Sequence, residues 1–363
     1  MKHLICFHLF NDYSGSPKIL KMVLENFLKQ HYIVDLVSSK HGVLDELLCY
    51  ENLRKHSYPY RFFKNPIVMM LYYCAVQLYM FVFAFRWLFC RDIVFYINTL
   101  LPVGPALAGR IMGKRVVYHY HENAFVKGGS YKILAIAMQK LAHEIICVSC
   151  YQASFLKQKS NLSVVPNALP QEFVDRLRFI PKAAFMRKRV LMLGSLKLYK
   201  SPLEFVELAR RLPQFDFELV VNDTQENINC FVKEYKINMG KNLTIYPRQN
   251  DVTSFYNRAS LVLNLTNKKQ AIETFGLTAL EAMSAGLPVI VPTKGGIAEM
   301  VKDGVNGYKI DVQELDKIEN RIKYILLDKD IYVHLSNNAK KESQKFSTIQ
   351  MLSLIHISEP TRL

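Results

Sequence analysis

The chain has 363 residues, half of them apolar, and a formal charge of +16 from 47 lysines and arginines against 31 aspartates and glutamates. That length leaves room for two domains, each with its own core, and the cationic surplus points to polyanionic partners. Basic residues are scattered and no zinc-finger or RNA-binding signature stands among them, which argues against nucleic acid and for phosphorylated substrates and an anionic membrane surface. Seven cysteines lie apart within apolar segments, which reads as reduced thiols in the cytosol and excludes a disulfide framework. Cys147 and Cys150 form a CVSC without a second pair, too little for a zinc or redox site.

In chain order, MKHLICFHLFND holds too short an apolar run for a signal peptide, and residues 3–10 read as a first strand. NDYSGSPK (11–18) is the following turn, with Ser16 able to cap a helix over 17–30. YIVDLVSS makes a second strand. Residues 92–99, 114–120, EIICVS and SVVPNA continue the series, with helices near 105–113 and 130–142 between them. Near-continuous apolar strands alternating with helices predict a parallel sheet covered on both faces. A basic, aperiodic stretch over 171–189 reads as a linker, and VLMLGS (190–195) opens a second series through FELVV, LTIYP, LVLNL and PVIVP. The expectation is an α/β chain of two doubly wound domains, 1–170 and 190–351, facing a central cleft. Ligands then belong at the strand-to-helix turns. Residues 352–362, LSLIHISEPTR, resemble a translated sequencing adapter, so 352–363 is expected to be a non-native tail.

One segment departs from the pattern. PIVMMLYYCAVQLYMFVFAF (66–85) is apolar except for Gln77 and long enough to span a bilayer. The strands on either side read as parts of one sheet, which a single crossing would separate. The expectation is a helix over 66–89 lying in the membrane surface between basic and aromatic anchors that include Arg61, Lys64, Arg86 and Trp87, with a core helix and a true span as the alternatives.

ETFGLTALE opens on Glu273 and closes on Glu281. Thr274 is the expected N-cap of a helix over 275–285, with Gly286 as its C′ stop. Backbone N–H groups at Phe275, Gly276 and Leu277 would then form an anion site. A carboxylate beside an anion site suits a ligand that brings hydroxyl donors along with its phosphates, as a nucleotide sugar does. The bland alternative is a surface helix with two solvated glutamates.

ETFGLTALEAMSAGLPVIVPTKGGIAEMVKDGVNGYKI (273–310) resembles the C-terminal signature of retaining glycosyltransferase family four, which has the GT-B fold. The resemblance fades towards the N-terminus. It implies that Glu273 contacts the donor sugar's hydroxyls, Glu281 the ribose, and the backbone at Phe275, Gly276 and Leu277 the diphosphate. In GSLKLYKSP, beginning at Gly194, Lys200 matches the diphosphate-binding lysine, but Ser195 stands where the family has arginine and Ser201 where it has glycine. Lys197 and Lys294 are the candidates to stand in for the arginine. Ser14, Gly15 and Ser16 match the glycine loop near the acceptor and the diphosphate. His121 matches the histidine near the donor sugar, Asn167 borders the cleft, and the loop holding Arg248 falls where the base packs. With no aspartate-x-aspartate element, the expected chemistry needs no metal and no cofactor beyond the nucleotide-sugar co-substrate. The resemblance thus implies a retaining glycosyltransferase of cell-surface glycan synthesis, acting on a lipid-linked or polysaccharide acceptor. It would be cytoplasmic and peripheral on the inner face of the cell membrane. The alternative is a nucleotide-sugar-binding or scaffold protein of the same fold with weak catalysis.

Overall fold

A computed structural model describes residues 2–157 and 161–355; most of the expected non-native tail, 356–363, lies outside the described residues. The chain divides into two compact units. The first runs to Pro166 and takes in the segment from Met351, and the second is Asn167–Gln350.

In the first unit the order is β1 (His3–Phe7), α1 (Gly15–Lys29), β2 (Ile33–Ser39), β3 (Leu53–Tyr58), α2 (Pro66–Ala84) and β4 (Ile93–Asn98). It continues with α3 (Val103–Ile111), β5 (Arg115–Tyr120), α4 (Ala124–Lys127), α5 (Gly129–Leu141), β6 (Glu144–Cys147), α6 (Cys150–Ala153) and β7 (Leu162–Val164). The strands form one parallel sheet in the order β3-β2-β1-β4-β5-β6-β7. Strand β1 ends at Phe7, short of the expected residue 10, which puts His8 just past the strand end. Strand β3 carries none of the apolar runs that mark the others; its LRKHSY lies at the sheet edge, where only Tyr58 is fully buried.

Helix α2 lays one face on the core and leaves the other bare, and by length and composition it could cross a membrane. Val76, Met80 and Ala84 pack into the core with Trp87 and Phe95, while Ile67, Leu71, Leu78 and Val82 stay exposed. It connects two strands of one sheet. Gln77, its lone polar residue, accepts a hydrogen bond from the Gly104 N–H at 3.0 Å. That satisfies a donor in the first turn of α3, whose N-cap Pro102 offers no side-chain acceptor. A Cβ on Gly104 would lie 2.2 Å from the Gln77 carbonyl, so glycine permits the close approach of the two helices.

In the second unit α7 (Gln171–Asp175) and α8 (Pro181–Arg187) fall within the stretch expected as a linker. There follow β8 (Arg189–Gly194), α9 (Pro202–Arg211), β9 (Asp216–Val221), α10 (Gln225–Glu234), β10 (Leu243–Tyr246), α11 (Thr253–Arg258) and β11 (Leu261–Leu263). The unit ends with α12 (Leu277–Ser284), β12 (Val289–Val291), α13 (Gly296–Glu299), β13 (Gly307–Lys309), α14 (Leu315–Leu327) and α15 (Lys329–Ser343); α16 (Thr348–Leu354) crosses the boundary between units. The second sheet is also parallel, in the order β10-β9-β8-β11-β12-β13. Strand order therefore reverses between β1 and β4 in one unit and between β8 and β11 in the other. At such points the loops leave in opposite directions and open a crevice beyond the strand ends.

Candidate functional site

In the second unit the reversal between β8 and β11 brings Lys200 and Glu273 together. Lys200 follows β8 in a one-turn 3-10 segment (Leu198–Lys200), and its Nζ donates to Glu273 Oε1. The same oxygen accepts from Thr266 Oγ1 at 2.8 Å and lies 3.4 Å from Asn264 Nδ2. Burial alone would raise the Glu273 pKa. The charge of Lys200 and the hydrogen bonds from Lys200, Thr266 and Asn264 outweigh it, so the carboxyl is held below its ordinary value. The Glu273 side chain keeps 20% of its surface exposed and Lys200 25%, so the pair is open to a ligand.

The helix beyond Glu273 begins two residues later than expected. Thr274 is not its N-cap; Gly276 is, at φ 94° and ψ 61°, and α12 starts at Leu277. A Cβ on Gly276 would lie 2.4 Å from the Ile297 side chain, so both backbone and packing demand glycine. Leu277 and Thr278 head the first turn, where N–H groups have no carbonyl one turn behind them. Gly295 and Gly296 fix the approach from the other side: the Gly296 N–H donates to the Glu273 carbonyl at 2.9 Å, and a Cβ on Gly295 would lie 2.5 Å from that oxygen. Gly286 closes α12 at φ 71° as the expected C′ residue. The DGVNG element does structural work instead, for Asn306 accepts from the Lys302 N–H and donates to the Met300 carbonyl.

Glu281 lies on α12 and accepts from the hydroxyl of Tyr256, whose pKa burial and the Glu281 charge raise well above the phenol range. Gly194 ends β8 with Ser195 just beyond it, and Arg248 follows β10 on the far side of β9. The Gly194 carbonyl accepts from the Asn222 N–H at 3.0 Å, and Asn222 Oδ1 accepts from Arg248 Nε at 2.6 Å. A Cβ on Gly194 would meet nothing nearer than Lys200 Cβ at 3.9 Å, so the protein itself does not require glycine there. Phe275 is buried with its ring edge against Phe346. Asn167 is buried, and its Oδ1 has no partner among the described residues. Lys197 and Lys294 are exposed.

The first unit holds the remaining expected residues at its own reversal. Asn98, ending β4, donates to His8 Nδ1 at 3.1 Å and accepts from His121 Nε2 at 3.1 Å. The rings of His119 and His121, alternate residues at the end of β5, lie 4.1 Å apart, and His119 Nδ1 is bonded to the Tyr96 hydroxyl at 2.7 Å. Desolvation pushes His8 down to about 4 and His119 down to about 3, and it lowers His121 well below its ordinary value. All three are neutral at physiological pH. Beside them a recess of about 170 Å³ is lined by Asp12, Ser14, Ser16, Phe62, Thr99 and Glu122 among others. Ser14, not Ser16, is the N-cap of α1; its hydroxyl donates to Asp12 Oδ1 at 2.6 Å and leaves the first-turn N–H groups uncapped. Gly15 opens the helix. Among the described residues no group of three or more His, Cys, Asp or Glu is placed to hold a metal ion.

Asn264, Thr266 and Tyr256 hold the two glutamates, and Asn98, itself bonded to His8, holds His121, yet none stands out in the sequence. The available signal was the polar residue closing each apolar strand, NLT after β11 and INT in β4, at the end where ligands collect.

Two parallel sheets wound with helices, each with a polar cluster at its reversal, make up the α/β architecture of the GT-B fold. Residues 173–342 match the family model of group 1 glycosyl transferases. An uncharacterized glycosyltransferase of Methanocaldococcus jannaschii is 25% identical over 222 residues, 57% of this chain and 54% of its own length; the chain thus spans about half of that relative. The UDP-Gal:alpha-D-GlcNAc-diphosphoundecaprenol alpha-1,3-galactosyltransferase of Escherichia coli is 25% identical over 295 residues, 73% of this chain and 74% of its own. Among solved structures, Anabaena HepE in complex with UDP and glucose superposes with a TM-score of 0.76 at 18% identity, covering 97% of each chain.

Proposed function

We propose that the chain transfers a glycosyl group from a uridine diphosphate sugar to a hydroxyl of a lipid-linked or polysaccharide acceptor, with retention at the anomeric carbon. The observation that carries this reading is Glu273, held ionised by Lys200, Thr266 and Asn264 just before the first turn of α12. An ionised carboxylate accepts hydrogen bonds only, which suits sugar hydroxyls. The N–H groups opening α12 and the Lys200 ammonium suit a diphosphate. Glu281 lies one turn into α12, where ribose hydroxyls can join Tyr256 as donors. The neutral ring of His121 can hydrogen-bond a donor-sugar hydroxyl without adding charge. Uridine is favoured because the HepE complex holds UDP and the E. coli relative is named for UDP-Gal. That relative's diphosphoundecaprenol acceptor, with a Bacillus subtilis relative named as a poly(glycerol-phosphate) alpha-glucosyltransferase, favours acceptors of cell-surface glycan synthesis.

Front-face attack, with the leaving phosphate oxygen taking the acceptor proton, needs no enzymic nucleophile. The helix N-terminus and Lys200 take the part of a cation, so a chelator should leave the rate unchanged. The exposed apolar face of α2 suits a chain lodged on the cytoplasmic face of the membrane, beside such acceptors. Ser195, in place of a cation, favours a second reading in which a nucleotide sugar is bound without efficient turnover.

Equilibrium binding of UDP tests the site. Lys200→Ala should weaken binding about tenfold or more, the loss of one charge-assisted hydrogen bond. Unchanged affinity would remove Lys200 from the diphosphate site.

A further inference from the structure

We infer that the whole layer formed by α2, α3 and α5, and not α2 alone, is a docking platform for an anionic lipid bilayer. The inference rests on the membrane reading above and extends it to two helices that have no unusual length or hydropathy of their own.

The three helices lie side by side over one sheet face, α2 against α3 and α3 against α5, with a shared core beneath them. Their outer faces are apolar across the layer: Leu71 is 63% exposed and Val82 61% on α2, Ile111 61% on α3, and Ile133 68% and Ile136 51% on α5. Soluble monomers rarely leave so broad an apolar surface in water.

Charge selects the occupant. Residues 66–84, 103–111 and 129–141 contain no aspartate or glutamate, while Arg110, Lys132 and Lys140 are exposed on them. Outside this layer, α1 carries Glu25, and the 3-10 segment beside it carries Asp45 and Glu46. The cations continue at the ends of α2, with Arg61 and Lys64 before it and Arg86 after it. The Arg86 guanidinium lies 4.9 Å from the Phe83 ring centre and 5.4 Å from that of Trp87, beside Phe89, which is 92% exposed. Apolar side chains ringed by long basic ones and aromatics match the boundary between acyl chains and anionic headgroups. A second copy of this face would set cation against cation with no carboxylate on these helices to answer it, so a bilayer is the better fit.

Flotation of the full chain with vesicles tests this, using phosphatidylcholine alone and mixed with phosphatidylglycerol. The wild type should float with the mixed vesicles and release in high salt. Ile133→Glu with Ile136→Glu on α5 should lower vesicle binding about tenfold or more, as should Leu71→Glu with Leu78→Glu on α2, each with an unchanged circular dichroism spectrum. If only the α2 pair matters, the platform is overturned and the α2 reading survives. If the wild type does not float, both fail. A wild type that dimerises and does not float, with the α5 pair monomeric, would assign the face to a second copy and overturn the inference.

Discussion

Ser201 lies at φ 57° and ψ 48°, is fully buried, and its hydroxyl finds no partner among the described residues. The left-handed conformation costs a residue with a Cβ about 1–2 kcal/mol, and the gain in unfolded-chain entropy on changing to glycine offsets about 0.4–1 kcal/mol of that. Ser201→Gly should therefore stabilise the protein by up to about 1.6 kcal/mol in denaturant unfolding, and a destabilised variant would contradict the account of this turn. The geometry also explains why the resemblance has glycine at this position. No comparable account emerges for Ser195, which is half-buried and meets no backbone constraint. Glu273 makes a second prediction with a definite sign. Its folded pKa lies below the ordinary carboxylate value, so its stabilisation is complete above that value and is lost as pH falls through the folded pKa. The stability difference between wild type and Glu273→Gln should be constant from neutral pH to about 5 and shrink below about 4.3. A difference that grows on acidification would mean that the carboxyl is not held ionised.

Glycines set the geometry of the α12 turn, and they explain both what the sequence revealed and what it concealed. ETFG announced a helix start, but Thr274 has the residue type of a cap without the position, because Gly276 turns left-handed under Ile297 and delays the helix. Gly276→Ala should cost about 2–4 kcal/mol from strain and overlap, whereas Gly194→Ala, with open space at its Cβ, should unfold like wild type. Equal thermal midpoints for the two variants would refute this reading of the turn. Edge strand β3 was missed for a related reason: with only one residue fully buried, it needs no apolar run to hold its place. The histidines at the ends of β1 and β5 couple that sheet to pH. Folded pKa values near 4 for His8 and 3 for His119 lie below the ordinary 6.5, so these groups stabilise the fold above 6.5 and lose that contribution as pH falls. Each should contribute about 1.4 kcal/mol per pH unit across that interval. His119→Gln should flatten the dependence of unfolding free energy on pH between 6.5 and 4.5, and an unaltered slope would contradict the assignment.

In the molecule as a whole, two sheets each gather polar residues where strand order reverses. The second of these sites was legible because its parts are contiguous in sequence, from Glu273 through the Gly295–Gly296 turn, and because each glycine answers a local backbone demand. Asn264, Thr266 and Tyr256 were illegible because their roles exist only once β11, α11 and α12 are packed together. Likewise His8 and Asn98, 90 residues apart, meet only through the pairing of β1 with β4. The central claim is that the Lys200–Glu273 pair serves glycosyl transfer from a nucleotide sugar. The most direct test measures nucleotide release from a panel of UDP- and GDP-sugars in the presence of membrane lipid extract, for wild type and Glu273→Gln. The account predicts acceptor-dependent release from a UDP-sugar by the wild type, and a loss on the order of 10²-fold or more in a folded Glu273→Gln. Turnover by Glu273→Gln at the wild-type rate would contradict the site, and donor binding without release by the wild type would contradict the enzyme.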